Sequence, residues 1–174
     1  MDELETGSTY DVVADVYADH FKGTEAEQPL ELAMIEHFAA LLPRPRLVLD
    51  AGCGAGRMMP HLAAYGCEVQ GVDLPVGMIR RAQRDHPGFV TTVGSLTKLK
   101  YRDSSFDGVF SWYSTIHSPD EDLELMVGEF RRVLRPGGYL LLAFQCGDER
   151  REVVKDFATE ASTSRCTADS RLPD

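Results

Sequence analysis

The segment Gly52-Cys53-Gly54-Ala55-Gly56 constrains the fold of this chain more than any other stretch. It follows a short apolar run, Leu47-Val48-Leu49, and precedes Met58, Met59, Leu62 and Ala63, which recur at helical spacing up to Gly66. Strand, glycine turn and helix in that order bring helix N-terminal N–H groups to a strand end, and such units stack into sheets covered by helices. The alternation continues with a strand from Cys67 to Asp73 and a helix from Val76 to His86, stopped by Pro87-Gly88. Strands follow at Phe89 to Gly94 and Phe106 to Trp112. After Pro119, Leu123, Met126, Val127, Phe130, Val133 and Leu134 mark a helix that ends before Pro136-Gly137-Gly138, and Tyr139 to Gln145 closes the series. Five apolar strands separated mostly by helices predict an α/β fold whose parallel sheet is covered on both faces.

Upstream, Tyr10, Val13, Ala14, Tyr17 and Phe21 fall at helical spacing. Leu30, Ala33, Ile35, Phe38, Leu41 and Leu42 predict a second amphipathic helix after Pro29. The reading divides the chain into an N-terminal helical lid segment at 1–45, a core at 46–148 and an irregular tail at 149–174. The stretch from Ala158 to Asp174 is rich in Ser and Thr and has too few large apolar side chains to offset its ordering entropy. At 174 residues with 43% hydrophobic and 26% charged residues, the composition fits one globular domain and excludes collagen-like, disordered and coiled-coil classes.

Lys and Arg number 18 against 28 Asp and Glu, a net charge of -10, which argues against nucleic acid or an anionic membrane surface as partner. No apolar run approaches the roughly 18 residues that a membrane helix needs. Cys53, Cys67, Cys146 and Cys166 show neither CxxC spacing nor histidines at zinc-ligand intervals, so no metal site is expected. The start Met1-Asp2-Glu3-Leu4-Glu5 lacks a basic or apolar signal region, and the expectation is a reduced, cytoplasmic protein.

The glycine turn lets a ligand approach the backbone closely. Asp73 stands 21 residues beyond Gly52 at the end of the second strand, where a carboxylate can accept both hydroxyls of a ribose. Together they point to a nucleoside-containing cofactor. A dinucleotide fingerprint would place a third glycine where this chain has Arg57, which disfavours a pyrophosphate and with it a nicotinamide-dependent oxidoreductase. Asp50, just before the turn, would repel phosphates and attract an amino group. S-adenosylmethionine carries such an ammonium.

These residues resemble the class I S-adenosylmethionine-dependent methyltransferases, in particular their small-molecule branch. The resemblance rests on Val48 to Gly56, Val72-Asp73, Phe106-Asp107-Gly108-Val109 and Leu134-Arg135-Pro136-Gly137-Gly138, and spans about Tyr10 to Asp148. It implies a Rossmann-like sheet in the order 3-2-1-4-5. It also implies that Asp50, Gly52, Gly54 and Gly56 line the methionyl and ribose parts, that Asp73 holds the ribose diol with Leu74 beside it, and that Ser95 and Leu96 meet the adenine. Ser111 and Trp112 would sit by the sulfonium or its methionyl arm.

Other residues carry two readings each. Arg57 either pairs with the cofactor carboxylate or is a solvated first-turn arginine. Met78 flanks the adenine or belongs to the core. Tyr10 and Tyr17 close over the cofactor as a lid or pack against the sheet. His117, after the fourth strand, is either the base that takes a proton from the methyl acceptor or a loop histidine.

Family members normally continue past the fifth strand with helix and an antiparallel pair of strands, and nothing after Asp148 reads that way. Two consequences are expected. The fifth strand forms a sheet edge through which two copies could associate, and a cofactor-binding domain with little catalysis is the rival to a small-molecule methyltransferase.

Overall fold

The computed structural model of the chain describes residues 11, 14–116 and 118–144. Helix α1 covers residues 14–20. It is followed by α2 (Pro29–Leu41), β1 (Leu47–Ala51), α3 (Met59–Ala64), β2 (Glu68–Asp73), α4 (Val76–Asp85) and β3 (Val90–Val93). The series ends with β4 (Phe106–Trp112), α5 (Asp120–Val133) and β5 (Leu134–Ala143). The five strands form one parallel sheet in the order β3-β2-β1-β4-β5, as the motifs imply. The chain winds outward from β1 to β3 and then crosses to β4 on the other side. This leaves a crevice at the carboxyl ends of β1 and β4, the place where open α/β sheets bind ligands.

Alternation along β1 sends Val48 to one face and Leu49 to the other. Val48 joins Ile35, Phe38, Met59, Leu62 and Phe110 under α2 and α3, whereas Leu49 joins Val72, Val109, Met126, Phe130 and Val133 under α5. Because both faces are covered, all seven residues of β4 are buried. Gly108 serves this packing: a Cβ there would lie 2.8 Å from the Phe38 ring and 2.9 Å from Leu42, so its absence lets α2 approach the strand. Asp107, also buried, staples three strands. Its carboxylate accepts the Leu47 N–H at the start of β1 (2.8 Å) and an Arg135 N–H in β5 (2.5 Å).

Two details depart from the sequence reading. Strand β5 begins at Leu134 rather than Tyr139, directly after α5. Phe106 pairs with Leu134 and Gly108 with Tyr139, so residues around Pro136-Gly137 bulge out of register, helped by the left-handed backbone of Gly137 (φ 81°). In α2, the structure buries Ile35, Phe38, Ala39 and Leu42 but leaves Leu30 72% exposed and Leu41 43%. At about 100° per residue, Leu30, Ala33 and Leu41 lie on the opposite side of the helix from Ile35 and Leu42. Ala33, Met34 and Leu41 instead line a cleft of about 320 Å³ with Tyr139, Leu140 and Leu141 of β5, the edge strand among the described residues.

Small residues and charges hold α1 to the body. Ala14 and Ala18 pack on Ala55 and Met78. Arg81 of α4 pairs with Asp15 (3.0 Å), Asp19 (2.6 Å) and Asp85 (2.5 Å). Because Asp15 and Asp19 face water, salt screens these pairs. Arg81→Gln should therefore lower the melting midpoint slightly at low ionic strength and less at high; equal losses at both would show that the contribution is not electrostatic. Among the described residues, no helix is long and apolar enough to cross a membrane. The tail at 149–174, with Cys146, Gln145, Tyr10 and His117, lies outside the described residues.

Candidate functional site

The turn after β1 is built from backbone that only glycine adopts easily. Gly52, Gly54 and Gly56 have φ of 83°, 54° and 85°. At Gly52 a second requirement applies, since a Cβ would stand 2.1 Å from the Cβ of Ser114, in the segment after β4. Backbone bonds tie the turn to the end of β2: Gly52 and Cys53 donate to the Val72 carbonyl at 2.8 and 3.1 Å. Asp73 completes the tie. Its carboxylate accepts the N–H of Gly54 at 2.5 Å and of Leu74 at 2.7 Å.

Two carboxylates thus meet at this end of the sheet. Asp50 is 2% exposed, and its Oδ2 has no hydrogen-bond partner among the described residues. Burial, reinforced by the negative charge of Asp73 and partly offset by Arg57, pushes its carboxyl up to about 8. Burial also raises Asp73 to about 6, against the two backbone N–H bonds that favour its ionised form. An unsatisfied buried oxygen of this kind is the counterpart of a donor that the protein does not supply.

The other residues expected at the site fall in several surroundings. Tyr17 packs with Ala14, Ala18, Ala55 and Met78 and lies within electrostatic reach of Arg57, Asp73 and Glu27. Met78 is 2% exposed within that cluster. Ser95 and Thr97 share a hydroxyl hydrogen bond of 2.7 Å, and Leu96 is buried in the cluster under α5. Ser111 is buried with its hydroxyl 2.6 Å from that of Ser114. Trp112 stacks on Phe110, with ring centroids 5.3 Å apart at 8°.

The Arg57 side chain is 16% exposed and is held within the protein. Its guanidinium makes a two-pronged pair with Glu27 at 2.7 and 2.9 Å, donates to the Gly23 carbonyl at 2.9 Å and lies over the Phe21 ring. The reason is geometric: the segment between α1 and α2 crosses the glycine turn and delivers a buried carboxylate to it. Glu27 was invisible in the sequence, because an acidic residue in a loop 30 positions upstream gives no spacing signal. Glu31 was missed likewise. One of its carboxylate oxygens caps α2 at the Gln28 N–H and the other accepts the Tyr113 hydroxyl, which raises Tyr113 to about 12.

Comparison with known proteins agrees with this geometry. A family model described as "Methyltransferase domain" matches residues 48–138. The malonyl-[acyl-carrier protein] O-methyltransferase of Erwinia billingiae is 35% identical over 106 residues, 61% of this chain and 41% of that protein. The sterol 24-C-methyltransferase of Saccharomyces cerevisiae is 31% identical over 153 residues, 76% of this chain and 39% of the relative. This chain therefore spans about two fifths of the length of these curated relatives. The crystal structure of a TehB-like SAM-dependent methyltransferase from Corynebacterium glutamicum superposes with a TM-score of 0.64 at 28% identity, covering 83% of this chain and 78% of the other. With the glycine turn, the strand order and the family match in agreement, the chain belongs to the class I S-adenosylmethionine-dependent methyltransferases.

Proposed function

We propose that this chain transfers a methyl group from S-adenosylmethionine to an O, N or C nucleophile of a small-molecule acceptor. The observation that carries the reading is the pair Asp50 and Asp73 under the glycine turn. The unpartnered Asp50 Oδ2 suits an ammonium. Asp73 already accepts two N–H bonds, yet a carboxylate has about four lone-pair sites, so it can still take a ribose diol. The names of two relatives, a sterol 24-C-methyltransferase and a malonyl-[acyl-carrier protein] O-methyltransferase, support a small acceptor group, free or carried.

When bound, S-adenosylmethionine supplies an electrophilic methyl on a sulfonium. The chain's residues supply position: the turn fixes the backbone, Asp73 orients the ribose, Asp50 orients the amino group, and Trp112 excludes water from the end of β4. An acceptor's electron pair would take that methyl group as the sulfur leaves as a neutral thioether, and the acceptor's proton would pass to a base. We assign that proton to His117, which follows the segment after β4.

Equilibrium titration with S-adenosylmethionine and, separately, with NAD tests the cofactor. Binding of the first alone is expected; binding of NAD alone would overturn the reading. Turnover of labelled methyl groups with a panel of acceptors then separates an enzyme from a cofactor-binding domain. His117→Ala should flatten the pH profile of turnover while leaving cofactor affinity nearly unchanged. An unchanged profile would return His117 to an ordinary loop residue.

A further inference from the structure

Glu27 is held from two strand ends at once. Its side chain is 2% exposed, yet it lies in the connection between α1 and α2. Arg57, from the turn after β1, pairs with both of its oxygens, and the Trp112 indole N–H, at the end of β4, donates to Oε1 at 3.2 Å. The Arg57 side chain is 16% exposed. Burial of the carboxylate opposes its charge, but the Arg57 and Trp112 bonds outweigh it and hold Glu27 below the usual carboxylate range. Removing one member of a buried ion pair leaves the other uncompensated, so the placement of these side chains is mutually dependent. Tyr113, beside the indole, is tied to the same segment through Glu31. It adopts φ 56°, which a tyrosine rarely takes without such an anchor.

The crevice between β1 and β4 is thus bridged by one carboxylate. We propose that Glu27 is a positioning residue which locks Arg57 and Trp112 in place across this crevice and so sets the slot in which the methyl donor and acceptor meet. The proposal rests on the methyl-transfer reading for the contents of the slot, but the lock itself does not. It also gives Arg57 a different employment from the one expected: with Glu27 on both terminal nitrogens, its fork is occupied by the protein.

Trp112 is the one tryptophan of the sequence, so its emission reports the lock directly. Glu27→Gln keeps the shape and removes the charge, and Glu27→Ala combined with Arg57→Ala removes both charges, which avoids leaving a lone buried guanidinium. In the ligand-free protein, both variants should show a red-shifted indole emission and greater quenching by acrylamide. Affinity for S-adenosylhomocysteine, measured by calorimetry on variants with cooperative melting, should fall by about tenfold, the equivalent of one charge-assisted hydrogen bond. If the pair acts as a unit, Arg57→Ala alone should lower this affinity by as much as the double variant, while costing more stability because Glu27 is left buried and unpaired. Emission and quenching identical to the parent protein would overturn the lock. A lock that behaves as expected in a protein that binds no S-adenosylhomocysteine would overturn the methyl-transfer reading instead.

Discussion

Asp50→Asn should stabilise the ligand-free protein at pH 8 while weakening its hold on S-adenosylmethionine. The Asp50 carboxyl is pushed up to about 8 by burial first and by Asp73 second. A folded value above the unfolded one means that the native state binds the extra proton. Stability from this group is therefore complete below about pH 4 and is lost progressively as pH rises to about 8. Asparagine has no proton to lose. The variant should gain on the order of a few kcal/mol relative to the parent at pH 8, and almost nothing at pH 4. Binding reverses the preference, because an ammonium beside Oδ2 favours the ionised carboxylate. At pH 7 the parent should release roughly one proton on binding and the variant none, measurable by calorimetry in two buffers of different ionisation enthalpy. Melting curves of parent and variant that run parallel from pH 4 to pH 8 would show that Asp50 is not the buried acid described.

The contrast between Asp50 and Arg57 shows what the sequence could disclose. Asp50 and the three glycines act through local backbone, in a strand and the turn that follows it, so their order along the chain already carries their arrangement. Arg57 acts through a partner 30 residues away, delivered by a connection whose path depends on how α2 packs. Spacing encodes no such path, and the two readings open to Arg57 both omitted Glu27. Leu96 shows the same limit. Its resemblance-based place beside an adenine gives no hint that its side chain belongs to the cluster with Leu49 and Val72.

For the fold, β4 was legible residue by residue because both of its faces are covered, which leaves a mostly apolar run whose two polar members, Asp107 and Ser111, are buried with hydrogen-bond partners. Strand β5 was not. Its first residues, Leu134 to Gly138, contain a proline and two glycines that read as a turn, and their inclusion in the strand depends on pairing with Phe106 and on the Asp107–Arg135 contact. Those are tertiary facts. The face of α2 was misread for a related reason: apolar residues surround the helix, so a list of apolar positions does not choose the side that meets Gly108.

Asp73→Ala should lower affinity for S-adenosylmethionine by about 1.5–3 kcal/mol, or about 10- to 150-fold, the range for hydrogen bonds to a charged group. The structure adds a second cost that the motif alone did not contain. Without the carboxylate, the N–H groups of Gly54 and Leu74 lose their acceptor, and the glycine turn loses one of its ties to β2. The ligand-free variant should therefore also melt earlier, while Asp73→Asn, which keeps one carbonyl oxygen, should recover part of the stability and less of the affinity. The pH dependence has a definite sign. With the carboxyl raised to about 6, the parent should bind more weakly as pH falls through about 6, because a protonated Asp73 can accept less well from the diol. Both substitutions remove the contribution of Asp73 to that dependence and leave that of Asp50. Calorimetry on a folded Asp73→Ala protein with parental affinity would place the ribose elsewhere, and would leave Asp73 as a residue that shapes the turn alone.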